Sequence, residues 1–219
     1  MAHPLQIALV HHQRGQLDQA RPLYEAFLRE QPDHADALNL LGVLLLQQQH
    51  PQQAVGRLQR AAQLKPTDSG LLNNLGNALR ATGQRLLAED AFRKSVAIDP
   101  NNADAWCNIG VARLEAGDND AAASSWQKAL ALNPDHVDSL NMLAVMLNES
   151  GDIAGAMTRW RRALKAAPGH SLVAENLTAA LHQQARRHLD GSRYQRAEKL
   201  LAEATGLQPD ALEGWMLLG

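Results

Sequence analysis

The sequence is poor in the features that define secreted and membrane proteins. Its 219 residues include a single cysteine, Cys107, which excludes an internal disulfide framework and favours a reducing compartment. Residues 1–10 lack the charged segment and long apolar core of a secretory signal. The longest apolar run, residues 40–46, is far shorter than the roughly 20 residues of a membrane-spanning helix. We therefore expect a cytoplasmic protein with no direct membrane insertion.

Excess positive charge and catalytic motifs are missing as well. The 21 Lys and Arg residues against 23 Asp and Glu leave a net charge of −2, so no overall basic excess attracts nucleic acid. The motifs G-x4-G-K-[ST], G-x-G-x-x-G, G-x-S-x-G and H-E-x-x-H, which mark nucleotide-binding, hydrolase and zinc-protease sites, do not occur. The sequence predicts no enzyme, no cofactor and no nucleic-acid partner.

What the sequence does contain is a period of 34 residues. Two residue types keep this interval at five successive positions: Ala20, Ala54, Ala88, Ala122 and Ala156, and Pro32, Pro66, Pro100, Pro134 and Pro168. The next members, Ala197 and Pro209, each follow after 41 residues, which is seven more than the period. A fixed period of about 20–50 residues is typical of a solenoid, in which each repeat buries its apolar face against the next.

The period divides one solenoid domain, residues 1–219, into repeats whose positions we number 1–34. Apolar residues at positions 4, 7, 8 and 11 share one helical face, and those at positions 20, 24 and 27 share a face of a second helix. Glycine or alanine at position 8 allows close helix contact, glycine at position 15 favours a left-handed helix end, and proline at position 32 stops the second helix. The predicted fold class is an all-α solenoid of antiparallel helix pairs, with repeats at residues 1–34, 35–68, 69–102, 103–136, 137–170 and 171–211, and an incomplete seventh at 212–219.

These residues resemble the tetratricopeptide repeat (TPR), whose pattern is W-x2-L-G-x2-Y…A-x3-F…P over 34 residues. Trp106-x2-Ile109-Gly110 and Ala88-x3-Phe92 match it closely, and the resemblance covers essentially the whole chain. It implies a right-handed superhelix in which the first helix of each repeat lines a concave groove.

The last repeats depart from the pattern in two ways. Repeat 6 carries seven extra residues, so we expect its first helix to be longer by about two turns and to run through about Leu189. The chain then restarts the pattern as W-x2-L-G in repeat 7. Trp215, Leu217 and Leu218 would form an exposed apolar patch, so the sequence predicts a possible homo-oligomer through this end.

The histidines and the cysteine have structural interpretations. His34, His136 and His170 all occupy position 34, in the turn after the proline, and residues that recur with the repeat are structural. No metal site is therefore predicted. Cys107 has no basic residue within four positions to lower its pKa, which argues against a catalytic thiol.

Asparagine recurs on the face of the first helices that points away from the core. Positions 5, 6 and 9 of repeats 2 to 6 carry Asn39, Asn73, Asn74, Asn77, Asn108, Asn141 and Asn176. Asparagine is a poor residue for a helix interior, and its amide can pair with the backbone of an extended peptide. We consider two interpretations, a peptide-binding groove and a common polar filler of TPR helices.

The row resembles the asparagine ladder in the TPR superhelix of O-linked N-acetylglucosamine transferases, where asparagine occupies position 6. Asn74, Asn108 and Asn176 match that position. Repeats 2 and 5 depart, with Leu40 and Met142 there and asparagine one residue earlier. The resemblance implies recognition of an extended polypeptide.

Charge is unevenly distributed along the chain. Residues 103–158 hold eight acidic residues against two basic ones, and residues 159–199 hold nine basic residues against three acidic ones. The simpler interpretation is solvated surface. The alternative is a basic patch that meets an acidic partner or a neighbouring domain, with the candidate residues Arg186, Arg187, Arg193 and Arg196.

Two functions follow from this sequence. The first is a non-catalytic protein–protein interaction scaffold that binds an extended polypeptide segment in its groove. The alternative is the substrate-recruiting N-terminal TPR arm of a larger, glycosyltransferase-like enzyme whose catalytic domain lies beyond residue 219.

Overall fold

The computed structural model describes residues 4–208, and within them the chain forms twelve α-helices and no strands. The helices are α1 (Pro4–Gln13), α2 (Leu17–Glu30), α3 (Ala35–Gln47), α4 (Pro51–Leu64), α5 (Ser69–Ala81), α6 (Arg85–Ile98), α7 (Ala103–Glu115), α8 (Asn119–Leu132), α9 (Val137–Glu149), α10 (Ile153–Ala166), α11 (Ser171–Asp190) and α12 (Tyr194–Leu207). Odd-numbered helices are the first helix of a repeat and even-numbered helices the second. The predicted all-α class is confirmed.

The chain divides into two compact units, Met1–Ser125 and Trp126–Gly219. In the N-terminal unit, α1 packs on α2, α3 on α4 and α5 on α6, and each second helix also contacts the first helix of the next repeat. Its core joins leucines and alanines of α2 to α5, and a smaller cluster surrounds Phe92, which is fully buried. Apolar burial between successive helix pairs is the main stabilising term of a solenoid.

The C-terminal unit has the same construction. There α9 packs on α10 and α11 on α12, and α10 also contacts α11. Its core is centred on Trp160, which is 2% exposed, and a further cluster between α11 and α12 contains Ala185, Ala197 and Leu201. Trp126 is also fully buried, so both of these tryptophans are core residues.

Glycine at position 8 is required by helix packing. A Cβ atom at Gly42 would lie 2.5 Å from Cγ of Leu58, and one at Gly76 would overlap the ring of Phe92. In both cases the second helix of the same repeat lies directly against the first. The predicted close approach at this position is confirmed.

The backbone at position 15 is left-handed. Gly83 and Gly117 have φ of +78° and +83°, and the same position in repeats 2 and 6 is occupied by non-glycine residues, Gln49 at φ +62° and Ser192 at φ +58°. The predicted glycine cap is confirmed where glycine is present. Where it is absent, the fold imposes the same conformation on residues with a Cβ, which costs about 1 kcal/mol or more.

The insertion in repeat 6 lengthens one helix. The first helices α3, α5, α7 and α9 each have 13 residues, and α11 has 20. Because seven residues make about two helical turns, the extended helix keeps its buried face in register. It ends at Asp190, one residue beyond the predicted end.

Candidate functional site: the asparagine face and the basic cluster

Asparagines of successive first helices are hydrogen-bonded to each other in pairs. In the N-terminal unit, Nδ2 of Asn74 donates to Oδ1 of Asn39 and Nδ2 of Asn108 donates to Oδ1 of Asn73, both across 2.9 Å. In the C-terminal unit, Nδ2 of Asn176 donates to Oδ1 of Asn141 across 3.0 Å. Each bond joins position 6 of one repeat to position 5 of the repeat before it, so the partners are 35 residues apart.

The asparagines at position 5, which we term the inner asparagines (Asn39, Asn73 and Asn141), differ from the sequence-based expectation. That expectation placed them on an open surface, whereas Asn73 is 8% exposed and Asn141 is 7% exposed. The reason is that the first helix of the following repeat lies over position 5. The oxygen of Asn141 also accepts a second hydrogen bond, from Nε1 of Trp160 at 2.9 Å. The inner asparagines therefore act as acceptors inside the repeat interface.

The asparagines at position 6, which we term the outer asparagines (Asn74, Asn108 and Asn176), are half-buried. Each uses one N–H in the bond to its inner partner. Among the described residues, its second N–H and its carbonyl oxygen have no hydrogen-bond partner. The amide plane is thus held in place by one bond while one donor and one acceptor remain available, which is the pair of groups that a peptide backbone also presents.

A second tier of polar contacts has the same spacing two helical turns further along. Nε2 of His12 lies 3.0 Å from Oε1 of Gln47, and Nη1 of Arg80 donates to Oε1 of Glu115 across 3.1 Å. These bonds join position 12 to position 13 of the next repeat. Both bonds of this second tier lie in the N-terminal unit, where the two tiers together cross-link neighbouring first helices along their polar face. Asn77, at position 9, is half-buried between the two tiers.

The histidines at position 34 are helix caps. Nδ1 of His34 accepts the backbone N–H of Ala37, and His170 does the same for Val173. Asp68 in repeat 2 makes the equivalent cap through its carboxylate. A side-chain acceptor at this position satisfies an unpaired N–H of the first turn. The structural interpretation of these histidines is confirmed. Within residues 4–208, no group of three or more His, Cys, Asp or Glu residues is placed to hold a metal ion.

The positive segment of the sequence separates into paired and clustered arginines. Arg161 forms a bidentate ion pair with Glu203 at 2.7 Å, and Arg162 bonds Asp135 at 2.8 Å. These two arginines are therefore neutralised within the C-terminal unit.

Four further arginines lie around the junction of α11 and α12, and we call these four, Arg186, Arg187, Arg193 and Arg196, the basic cluster. All four are exposed. Nη2 of Arg193 donates to the backbone oxygen of Arg187 across 3.3 Å. Burial, followed by the positive charges of Arg193 and Arg196, lowers the pKa of the half-buried His188.

The apolar patch predicted at the C-terminal end lies outside the described part of the chain. Trp215, Leu217 and Leu218 lie beyond residue 208, so self-association through them stays a prediction. Among the described helices, none is long and apolar enough to cross a bilayer.

Comparison with known families agrees with this architecture. Residues 25–135 match the family described as the cytochrome c-type biogenesis protein H TPR domain. Tetratricopeptide repeat models match residues 5–34, 107–171 and 182–219. The chain is thus a tetratricopeptide repeat protein, and it belongs to the cytochrome c-type biogenesis protein H TPR domain family. No enzymatic family is indicated by these matches.

Two solved structures share the fold over nearly the whole chain. PilF of Pseudomonas aeruginosa aligns with a TM-score of 0.72 and 20% identity, covering 97% of this chain and 94% of its own. PilW, described as a widely conserved type IV pilus biogenesis factor, aligns with a TM-score of 0.75 and 18% identity, covering 99% and 97%. Identities this low show a common fold alone.

A curated relative matches a shorter stretch. The Protein CTR9 homolog of Arabidopsis thaliana is 35% identical over 88 residues, which is 39% of this chain. The matched stretch spans 8% of that much longer protein.

Proposed function

We propose that this protein is a non-catalytic interaction scaffold that binds an extended polypeptide segment along its outer asparagines. The observation that carries the proposal is the set of three Asn–Asn hydrogen bonds, each of which orients one outer amide and leaves a donor and an acceptor available. An orientation that is fixed before binding lowers the entropic penalty of binding.

The spacing of the outer asparagines also fits a peptide. Asn74 and Asn108 lie on α5 and α7, which pack side by side in the N-terminal unit. Packed helices lie about 8–10 Å apart, and an extended chain advances about 3.3 Å per residue. These two outer asparagines would therefore meet residues about three positions apart in the bound segment. Because the amides read the backbone, binding would depend little on the side chains of the partner.

The test is a triple variant, Asn74→Ala, Asn108→Ala, Asn176→Ala, probed against an immobilised array of peptides of mixed sequence. Three backbone hydrogen bonds at about 0.5–1.5 kcal/mol each should weaken binding by at least about tenfold. The matched control is Gln19→Ala, Gln52→Ala, Gln127→Ala, which removes three exposed amides from second helices.

The control variant should be as stable as the parent. The asparagine variant should lose some stability, because each alanine removes a donor from the amide oxygen of an inner asparagine, and the better helix propensity of alanine offsets part of that loss. Binding is therefore measured at a temperature at which circular dichroism shows both variants to be fully folded. The control should bind the array like the parent. If the asparagine variant retains parental binding, the outer asparagines serve the repeat interface alone.

The cytoplasmic location expected from the sequence stays a prediction, as does the alternative in which these repeats recruit substrates for a larger transferase. Sequencing the gene beyond the codon for Gly219 tests the latter directly.

A further inference from the structure

The basic cluster at the junction of α11 and α12 gathers four exposed arginines around one short connection. Many other arginines of the described residues face carboxylates, as in Arg60 with Asp33, Arg80 with Glu115 and Arg113 with Glu89. Among the described residues, Arg187, Arg193 and Arg196 form no ion pair. Burial, followed by the positive charges of Arg193 and Arg196, lowers the pKa of His188, which lies beside them. Like charges held close together repel each other, and an anionic ligand would relieve that repulsion.

The insertion in repeat 6 builds this cluster. The two added turns of α11 carry Arg186 and Arg187 beyond the length of the other first helices, and α12 then returns with Arg193 and Arg196. Arg187 lies on the same face of α11 as Asn176, about three turns further along. An open pocket of about 440 Å³ lies over the start of α12, between the side chains of Arg193, Tyr194 and Arg196.

We infer that the basic cluster binds an acidic polypeptide segment, with its carboxylates held by Arg187, Arg193 and Arg196. Planar guanidinium groups bind carboxylates through paired hydrogen bonds, and Tyr194, which is 65% exposed, adds an aromatic face beside them. This inference does not depend on the outer asparagines and concerns a different part of the surface.

The charges around the cluster favour a short acidic peptide over two other polyanions. A nucleic acid carries a charge at every nucleotide and needs cations along its track. Here acidic residues interrupt the cations, because Asp190 lies between Arg187 and Arg193, and α12 alternates Glu198, Lys199 and Glu203 after Arg196. A membrane surface would also need several exposed apolar anchors, and Tyr194 is the one large apolar side chain that the described residues expose at this junction.

The experiment measures the affinity of a fluorescent peptide of consecutive Glu and Asp residues by anisotropy. The test variant is Arg187→Gln, Arg193→Gln, Arg196→Gln. The control is Arg14→Gln, Arg29→Gln, Arg57→Gln, which lowers the net charge equally but changes exposed arginines of α2, α4 and the turn after α1. Since each exposed contact contributes about two- to threefold, the test variant should bind about tenfold more weakly and show a flatter salt dependence.

The control variant should keep parental affinity for the acidic peptide. The three arginine changes should weaken binding of the acidic peptide by the same factor when they are made in the triple asparagine variant, which separates this result from the test of the asparagine face. A peptide of Gln and Asn of the same length should bind the parent and the arginine test variant equally. An equal loss of affinity for the acidic peptide in the arginine control would overturn the inference. So would tighter binding of the parent to oligodeoxythymidine or to phosphatidylserine vesicles than to the acidic peptide.

Discussion

One oxygen atom, Oδ1 of Asn141, accepts hydrogen bonds from both Trp160 and Asn176, at 2.9 and 3.0 Å. The first bond comes from the second helix of the same repeat and the other from the first helix of the next. A single amide therefore connects α9, α10 and α11. Since Asn141 and Trp160 are both buried, water cannot replace these bonds.

Replacing Asn141 by leucine should lower the free energy of unfolding by about 1–3 kcal/mol, because the indole N–H of Trp160 would be left buried without an acceptor. Urea denaturation followed by circular dichroism measures this. Asn77→Leu is the matched control, since Asn77 makes no hydrogen bond through its side chain within the described residues, and its effect should stay within about 0.5 kcal/mol. Equal urea midpoints for Asn141→Leu and Asn77→Leu would contradict the prediction.

Two glycines inside helices should respond to alanine in opposite directions. Gly76→Ala places a methyl group against the ring of Phe92 and should destabilise the protein by about 1–3 kcal/mol. Gly56→Ala, in the middle of α4 with no atom near the added methyl, should stabilise it by about 0.5–1 kcal/mol through helix propensity. Melting temperatures that move in the same direction for both would show that the contact with Phe92 is not tight.

The left-handed turn residues offer a second pair of opposed changes. Gln49→Gly should stabilise the protein by about 1 kcal/mol, because it relieves a non-glycine residue at φ +62°. Gly117→Ala should destabilise it by about the same amount, since the added methyl meets no atom within 4 Å and only the backbone conformation opposes it. Chemical denaturation of the two variants measures both effects, and a destabilised Gln49→Gly would refute the argument from strain.

Tyr24 should make stability fall at high pH. Burial raises the pKa of the Tyr24 hydroxyl from 10.0 to about 12, so the folded state keeps its proton over a range in which the unfolded state loses it. The contribution of Tyr24 is fully present below pH 10 and is lost as the pH rises toward 12. The difference in absorbance titration between the parent and Tyr24→Phe isolates this group from the second tyrosine, Tyr194. A midpoint near 10 in that difference would show that Tyr24 is not desolvated.

The sequence was sufficient to predict structural features that depend on a single helix or a single turn. The positions of Gly83 and Gly117 predicted the left-handed turns, and a seven-residue insertion predicted a longer α11, because both follow from local backbone geometry. The roles of the asparagines depend on a neighbouring repeat. A helical projection of α5 places Asn73 on the polar face, and only the packing of α7 on α5 shows that this position is covered.

The charge pattern of the sequence likewise could not show which arginines are paired with a carboxylate. A count along residues 159–199 treats Arg162 and Arg193 alike. Arg162 lies opposite Asp135 from the preceding repeat, whereas Arg193 forms no ion pair within the described residues and donates to the backbone oxygen of Arg187. Pairing between residues that lie 27 positions apart is a property of repeat stacking, which a linear count does not contain.

The Asn–Asn bonds also bear on how such an array grows by gene duplication. Repeat 3 (residues 69–102) is the one repeat of the six that has asparagine at both positions 5 and 6, and it both receives a bond from Asn108 and donates one to Asn39. A tandem copy of this segment would bring a donor and an acceptor to every new junction. A copy of repeat 2 would instead place Leu40 opposite Asn39. Repeat 3 is thus the segment that can be multiplied without leaving an unpaired amide, and it is the natural building block for a lengthened array.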